Sequence, residues 1–69
     1  MTKEERAIEE SIRTGRSVDL EKGADRSTLS TKASYEDEEG EYGGYYDRWY
    51  TTYSGIRNGV PWTVRVRDC

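Results

Sequence analysis

The chain has 69 residues, of which 32% are hydrophobic and 36% are charged, and its net charge is −3. A domain of this size gains little stability from one hydrophobic core, and no stretch approaches the ~18 apolar residues of a transmembrane helix. With no histidine and a single cysteine, the chain lacks the usual neutral-pH general base, an intramolecular disulfide and a cysteine-based metal cage. Its charged beginning is unlike a signal peptide. This composition predicts a cytoplasmic protein that is no enzyme, holds no cofactor or metal and acts through a binding surface.

The first predicted element is a helix within residues 1–15. Thr2 and Glu5 have the spacing of a capping box, in which each side chain accepts a hydrogen bond from an unpaired backbone N–H. Ile8 and Ile12 form a narrow apolar stripe, and Gly15 can adopt the left-handed conformation that ends a helix. A helix this short is not stable alone, so we expect it to pack on another element.

Short strands are predicted between residues 17 and 35. Val18 and Leu20 alternate with polar residues, which is typical of a strand. The segment 22–26 has the composition of a turn, and a second period-2 pattern runs from Thr28 to Tyr35. Residues 36–47, which are rich in acids, tyrosine and glycine, are then predicted to form a loop.

A β-hairpin is predicted over residues 48–67. Asn58-Gly59 is a preferred pair for a type I′ turn, because both residues tolerate positive φ. This turn places Gly55 opposite Trp62, so that the indole fills the space left by the missing side chain. One face of the hairpin then carries Thr51, Tyr53, Gly55, Trp62, Val64 and Val66.

The other face of the hairpin is more polar. It pairs Tyr50 with Arg67, which would allow a cation–π contact. Pro61, opposite Ile56, predicts that this end of the hairpin lies at a sheet edge. Together, these elements predict a single small α+β domain, with one N-terminal helix packed on a three- or four-stranded antiparallel sheet that ends in the hairpin.

Charge is distributed unevenly along the chain. Residues 1–35 are neutral, residues 36–47 carry six acids and no base, and residues 48–69 have a net charge of +3. An acidic run is ordinarily a solvated loop, but carboxylates ~3.3 Å apart along an extended chain approach the charge density of a nucleic-acid strand. The interleaved tyrosines would add amphipathic contact area. The candidate partner-binding residues are Glu36, Asp37, Glu38, Glu39, Glu41, Tyr42, Tyr45, Tyr46 and Asp47.

Three other functions can be considered for parts of this sequence. Calcium binding is disfavoured, because the acids lack the order of an EF-hand loop. Tyr50, Arg65 and Arg67 on the outer hairpin face could stack and hold single-stranded nucleic acid, although the adjacent acids would repel phosphate. A thin core could also be completed by dimerisation, as in a regulatory subunit such as an antitoxin.

In its size, acidity, tyrosine content and lack of catalytic residues, the chain resembles small phage-encoded inhibitor proteins, and anti-CRISPR proteins in particular. The resemblance lies in these general properties and transfers no residue roles. It implies a stoichiometric binder, monomeric or homodimeric, in the cytoplasm of a host bacterium. Such a protein would block DNA binding by charge mimicry, occupying the basic nucleic-acid-binding surface of a CRISPR effector complex without itself binding nucleic acid or membrane.

Overall fold

A computed structural model of the chain describes residues 1–40 and 48–68, with the backbone alone at 38–40, 48 and 49. In chain order its elements are α1 (Lys3–Thr14), β1 (Val18–Leu20), α2 (Arg26–Lys32), β2 (Tyr35–Gly40), β3 (Arg48–Arg57) and β4 (Val60–Arg67). The strands form one sheet in the order β1-β4-β3-β2. Neither α1 nor α2 is long and apolar enough to cross a membrane.

The sheet confirms the predicted α+β class and corrects its strand directions. Strands β2, β3 and β4 are antiparallel to their neighbours, whereas β1 runs parallel to β4, with Val18 opposite Val64. A parallel pair needs a long connection between its strands. Here the chain passes through α2, β2 and β3 before β4 returns beside β1, so the sheet is mixed.

Helix α1 begins and ends where the sequence predicts. The Oγ1 of Thr2 accepts a hydrogen bond from the backbone N–H of Glu5 at 3.2 Å. Gly15 adopts a left-handed φ of 74°, and its N–H donates to the carbonyl oxygen of Ser11. Ile8 is fully buried on the side of the helix that faces the sheet. The helix is therefore held by its caps and by a narrow apolar contact.

Helix α2 replaces most of the strand predicted over residues 28–35, so that prediction was wrong over 28–32, whereas Tyr35 begins β2. The carboxylate of Asp25 caps the helix by accepting hydrogen bonds from the backbone N–H groups of Ser27 and Thr28. Leu29 is the one buried residue of this seven-residue helix. Because only one apolar side chain of α2 contacts the core, apolar residues do not recur with a 3.6-residue period in this segment, and the sequence shows no helical pattern.

The β3–β4 hairpin confirms the predicted register along its whole length, from Arg57 opposite Val60 to Tyr50 opposite Arg67. Asn58 and Gly59 both have positive φ, as the predicted turn requires. The prediction that the Pro61 end lies at an edge is also confirmed, since β1 pairs with β4 only from Val64 to Val66.

Both helices pack on the same face of the sheet, and the core lies between them and the hairpin. Its buried hydrophobic residues are Ala7, Ile8, Ala24, Leu29, Tyr53, Trp62, Val64 and Val66. The opposite sheet face, here called the open face, is not covered by any helix or strand among the residues described. Ile56 lies on it and is 67% exposed.

Candidate functional site

The acidic segment begins as a strand rather than as the predicted loop. Residues Tyr35–Gly40 form β2 and pair with β3, so the loop prediction for 36–47 was wrong over 36–40. Aspartate and glutamate are poor strand formers, and the strand exists because β3 supplies a partner for its backbone. Of the other predicted site residues, Glu41, Tyr42, Tyr45, Tyr46 and Asp47 lie outside the described residues.

The pairing of β2 with β3 divides the acidic positions between two faces of the sheet. Positions 36 and 38 pair with Tyr53 and Thr51, which are buried on the helix side. Positions 37 and 39 pair with Thr52 and Tyr50 on the open face. Neighbouring strand positions alternate between faces, so the acidic positions form two short rows rather than the single tract that the sequence suggested. Both rows lie along the same border of the molecule, because β2 is the last strand of the sheet.

The acidic side chains that the structure describes on β2 are exposed and not neutralised by a described cation. Glu36 accepts a hydrogen bond from the Ser30 hydroxyl at 3.0 Å. Neither Glu36 nor Asp37 forms an ion pair with the arginines and lysines whose side chains are described. The ion pairs found there are Arg26–Asp68, Lys32–Glu5, Arg57–Glu5 and Arg65–Asp19. The negative charges of Glu36 and Asp37 thus face solvent.

The outer edge of β2 has no neighbouring strand among the described elements. The sheet order ends at β2, with β3 on its inner side. An edge strand presents backbone N–H and C=O groups that are not paired within the sheet. Tyr35, at the start of the strand, is 61% exposed. The site therefore combines a strand edge that no described strand covers with four consecutive acidic positions.

The open face of the sheet carries a second group of functional side chains. The guanidinium carbon of Arg65 lies 4.1 Å from the centre of the Tyr50 ring. Arg67 is the direct cross-strand neighbour of Tyr50, as predicted. The cation over the ring, however, is that of Arg65, which lies two residues before Arg67 on β4 and is the diagonal neighbour of Tyr50. Arg65 also lies 3.9 Å from Asp19 on β1, so this arginine already has a carboxylate close by.

Sequence reasoning missed the role of Arg26, which joins α2 to the end of the sheet. Its guanidinium donates hydrogen bonds to the Thr51 hydroxyl at 3.2 Å and to the carbonyl oxygen of Arg67 at 2.9 Å. It also forms an ion pair with Asp68 at 2.8 Å. No sequence signal indicates this cluster, because its members come from three distant segments. Its side chains satisfy one another, which is the behaviour of a structural contact.

The glutamates whose pKa values are shifted also belong to structural contacts. The backbone N–H of Asp25 donates to the Glu4 carboxylate at 2.7 Å and lowers the pKa of this buried side chain below its ordinary value. A hydrogen bond from Lys32 lowers the pKa of Glu5, and the nearby Arg57 adds to the effect. Both carboxylates stay ionised and hold α1 in place, so neither has the raised pKa of a general acid.

Comparison with known protein families, curated proteins and solved structures finds no match to this chain. Among the side chains that the structure describes, no group of three or more acidic residues is arranged to hold a metal ion. The surfaces described above are therefore the basis for any functional assignment.

Proposed function

We propose that this protein is a stoichiometric inhibitor of the anti-CRISPR type, which binds a basic nucleic-acid-binding surface of a bacterial CRISPR effector complex. The observation that carries the proposal is the placement of acidic positions 36–39 on the last strand of the sheet, whose outer edge no described strand covers, with Glu36 and Asp37 exposed and not ion-paired to a described cation. The choice of a CRISPR effector as target comes from the resemblance in size, acidity and tyrosine content.

Strand geometry distributes the acidic positions over both faces of one strand. Successive residues are ~3.3 Å apart but alternate between faces, so positions on one face are ~6.6 Å apart, about twice the ~3.4 Å between successive charges of one DNA strand. Under this proposal, lysine and arginine side chains of a groove built for nucleic acid pair with carboxylates on both faces of β2. Association would be steered by charge and would weaken as salt is added.

The rest of the predicted binding segment would extend this surface. Glu41 and Asp47 would add carboxylates, and Tyr42, Tyr45 and Tyr46 would supply apolar anchors of the kind enriched at protein interfaces. Under this proposal the protein acts in the bacterial cytoplasm as a binder, with no catalytic step and no cofactor.

The proposal is tested with a panel of purified DNA-binding CRISPR effector complexes, each assayed by gel shift for binding to its target DNA. We expect that at least one complex loses DNA binding as the protein approaches equimolar amounts, and that added salt restores it. The variant Glu36→Gln/Asp37→Asn should need a roughly 2- to 30-fold higher concentration to inhibit DNA binding equally. It loses two ion pairs, and each exposed ion pair contributes ~0.2–1 kcal/mol.

The matched control is Glu9→Gln/Glu10→Gln, which removes two negative charges from exposed positions on α1. It should inhibit like the unaltered protein. Equal inhibition by both variants would show that the charge of β2 is not used, and no inhibition across the panel would reject the target class.

A second candidate function is binding of single-stranded nucleic acid on the open face, favoured by the Tyr50–Arg65 contact and by the lack of a covering element among those described. Aromatic rings on such a face can stack on bases. A fluorescence titration with single-stranded oligonucleotides at low salt distinguishes the two functions. Binding that is lost in Tyr50→Ala would favour this candidate, whereas the charge-mimic proposal expects no binding.

A further inference from the structure

The free edge of β2 indicates how a partner would be held, beyond attraction between charges. We propose that β2 pairs through its backbone with an extended segment of the partner that is rich in lysine or arginine, so that the segment becomes a fifth strand of the sheet. This inference rests on the proposed function, because it names the part of the partner that would contact the same acidic strand.

The first argument is the geometry of the edge. Strand β2 has six residues and ends the sheet, with β3 as its one neighbour among the described strands. Six residues is a typical strand length, which is sufficient for regular pairing with an added peptide. The register with β3 is regular from Tyr35 to Glu39 and shifts between Glu39 and Gly40. Regular pairing with a partner would therefore cover residues 35–39.

The second argument is charge, which selects the occupant of this edge. Acidic residues occupy four consecutive positions of β2, 36 to 39, and so belong to both faces of the sheet. A strand added at the edge would place its own side chains beside these positions on both faces, and opposite charges in cross-strand pairs are stabilising. A second copy of β2 would place acids opposite acids, which is destabilising. The edge thus fits a basic segment and excludes self-pairing.

Charged residues on an edge strand can also serve only to prevent aggregation. A protective edge and edge pairing lead to the same expectation for a second copy of the protein, because in both cases the acidic β2 strands of the two copies repel each other. The two interpretations differ in what they expect of a basic peptide that can form a strand. A purely protective edge would attract the peptide by charge alone, whereas edge pairing also expects backbone hydrogen bonds. The test must therefore separate backbone pairing from charge.

The experiment titrates the ¹⁵N-labelled protein with a short synthetic peptide in which lysine alternates with valine. We expect chemical-shift changes concentrated at residues 35–39, and slower hydrogen exchange of those β2 amides that point away from β3. A peptide of the same sequence with N-methyl groups on alternate residues keeps the charge and loses backbone donors. It should bind about tenfold more weakly or worse, since each lost hydrogen bond contributes ~0.5–1.5 kcal/mol.

Protein variants complete the test. Glu36→Gln/Asp37→Asn should weaken binding of the lysine–valine peptide, whereas Glu9→Gln/Glu10→Gln should leave it unchanged. Equal binding of the plain and the N-methylated peptide would overturn the inference, because charge alone would then explain the association. Absence of binding, or shift changes centred on another surface, would overturn it as well.

The outcome is independent of the effector experiment, because no effector is present in the titration. If an effector is inhibited but the peptide does not pair with β2, edge pairing is wrong and the proposed function stands. If the peptide pairs with β2 but no effector is inhibited, edge pairing stands and the proposed target class is wrong.

Discussion

Gly55 is a residue at which the absence of a side chain is required by packing. A Cβ built at this position would lie 2.6 Å from Cζ2 of the Trp62 ring. Trp62 is the largest side chain of the core and is buried, so the ring cannot move aside without disturbing its neighbours. The ring can therefore lie this close to the backbone only because position 55 carries no side chain.

We predict that Gly55→Ala lowers the free energy of unfolding by about 1–3 kcal/mol, the usual effect of overpacking a core. Urea unfolding followed by tryptophan fluorescence measures the change. Gly23→Ala is the matched control, since nothing lies within 4 Å of its added Cβ and its effect should be below about 0.5 kcal/mol. Equal stability of the two variants would contradict the packing described for Trp62.

At the scale of elements, α2 shows how a helix forms from residues with weak helix propensity. Serine and threonine favour caps and turns over helix interiors, and α2 contains four of them. The helix is held at its start, where the Asp25 carboxylate accepts hydrogen bonds from Ser27 and from both the N–H and the hydroxyl of Thr28. Its buried Leu29 supplies the contact with the core.

We predict that Asp25→Ala destabilises the protein by about 1 kcal/mol, the typical effect of removing an N-cap. Asp25→Asn keeps a capping oxygen and should cost only a few tenths of that amount. Thermal unfolding followed by circular dichroism compares the variants, and both leave intact the backbone N–H that Asp25 donates to Glu4. If Asp25→Asn lowered the stability as much as Asp25→Ala, the stabilising effect of the Asp25 side chain would not be that of an N-cap.

The elements that could be predicted from sequence are those specified by local signals. The Asn58-Gly59 pair determines the hairpin and, with it, the register and the buried face of β3 and β4. Strand β2 could not be predicted, because its acidic residues disfavour a strand and only pairing with β3 compensates for this. Helix α2 was missed because its one buried side chain shows no period, although Asp25 three residues before Thr28 resembles an N-cap signal.

For the candidate site, the sequence indicates the charge but not its arrangement. The run of acids from Glu36 is visible in the composition alone. The division of these acidic positions between two faces follows from the β2–β3 register, and their place on the last described strand follows from the strand order. Both depend on pairing between strands that are distant in sequence, which no local sequence pattern predicts.

At the scale of the whole molecule, two glutamates of α1 connect elements that are far apart in sequence. Glu4 binds the start of α2, while Glu5 contacts Lys32 at 3.0 Å and Arg57 at 3.6 Å. The pKa of each carboxylate lies below its ordinary value of 4.5, which means that the folded protein binds fewer protons than the unfolded chain at moderately acidic pH. Their stabilising effect is complete above the ordinary value and is lost as the pH falls through the lowered one.

We predict that Glu4→Gln makes the dependence of unfolding free energy on pH shallower as the pH falls below the ordinary pKa of 4.5, because one titrating group with a lowered pKa is removed. The variant should also be less stable at neutral pH, since a neutral amide oxygen is a weaker acceptor than a carboxylate. Urea midpoints measured over a pH series test this. A slope in Glu4→Gln equal to that of the unaltered protein would contradict the prediction.

The position of β4 between β1 and β3 has a consequence for how a nascent chain reaches this structure. Val18 pairs with Val64, and α1 packs chiefly on β4, so the segment synthesised first has its docking surface on a strand synthesised much later. Contacts between such distant segments require closure of a long loop and slow the search for the folded state. While the ribosome is still adding β3, α1 and β1 lack the strand on which they chiefly pack, and this packing becomes possible only after β4 has left the exit tunnel.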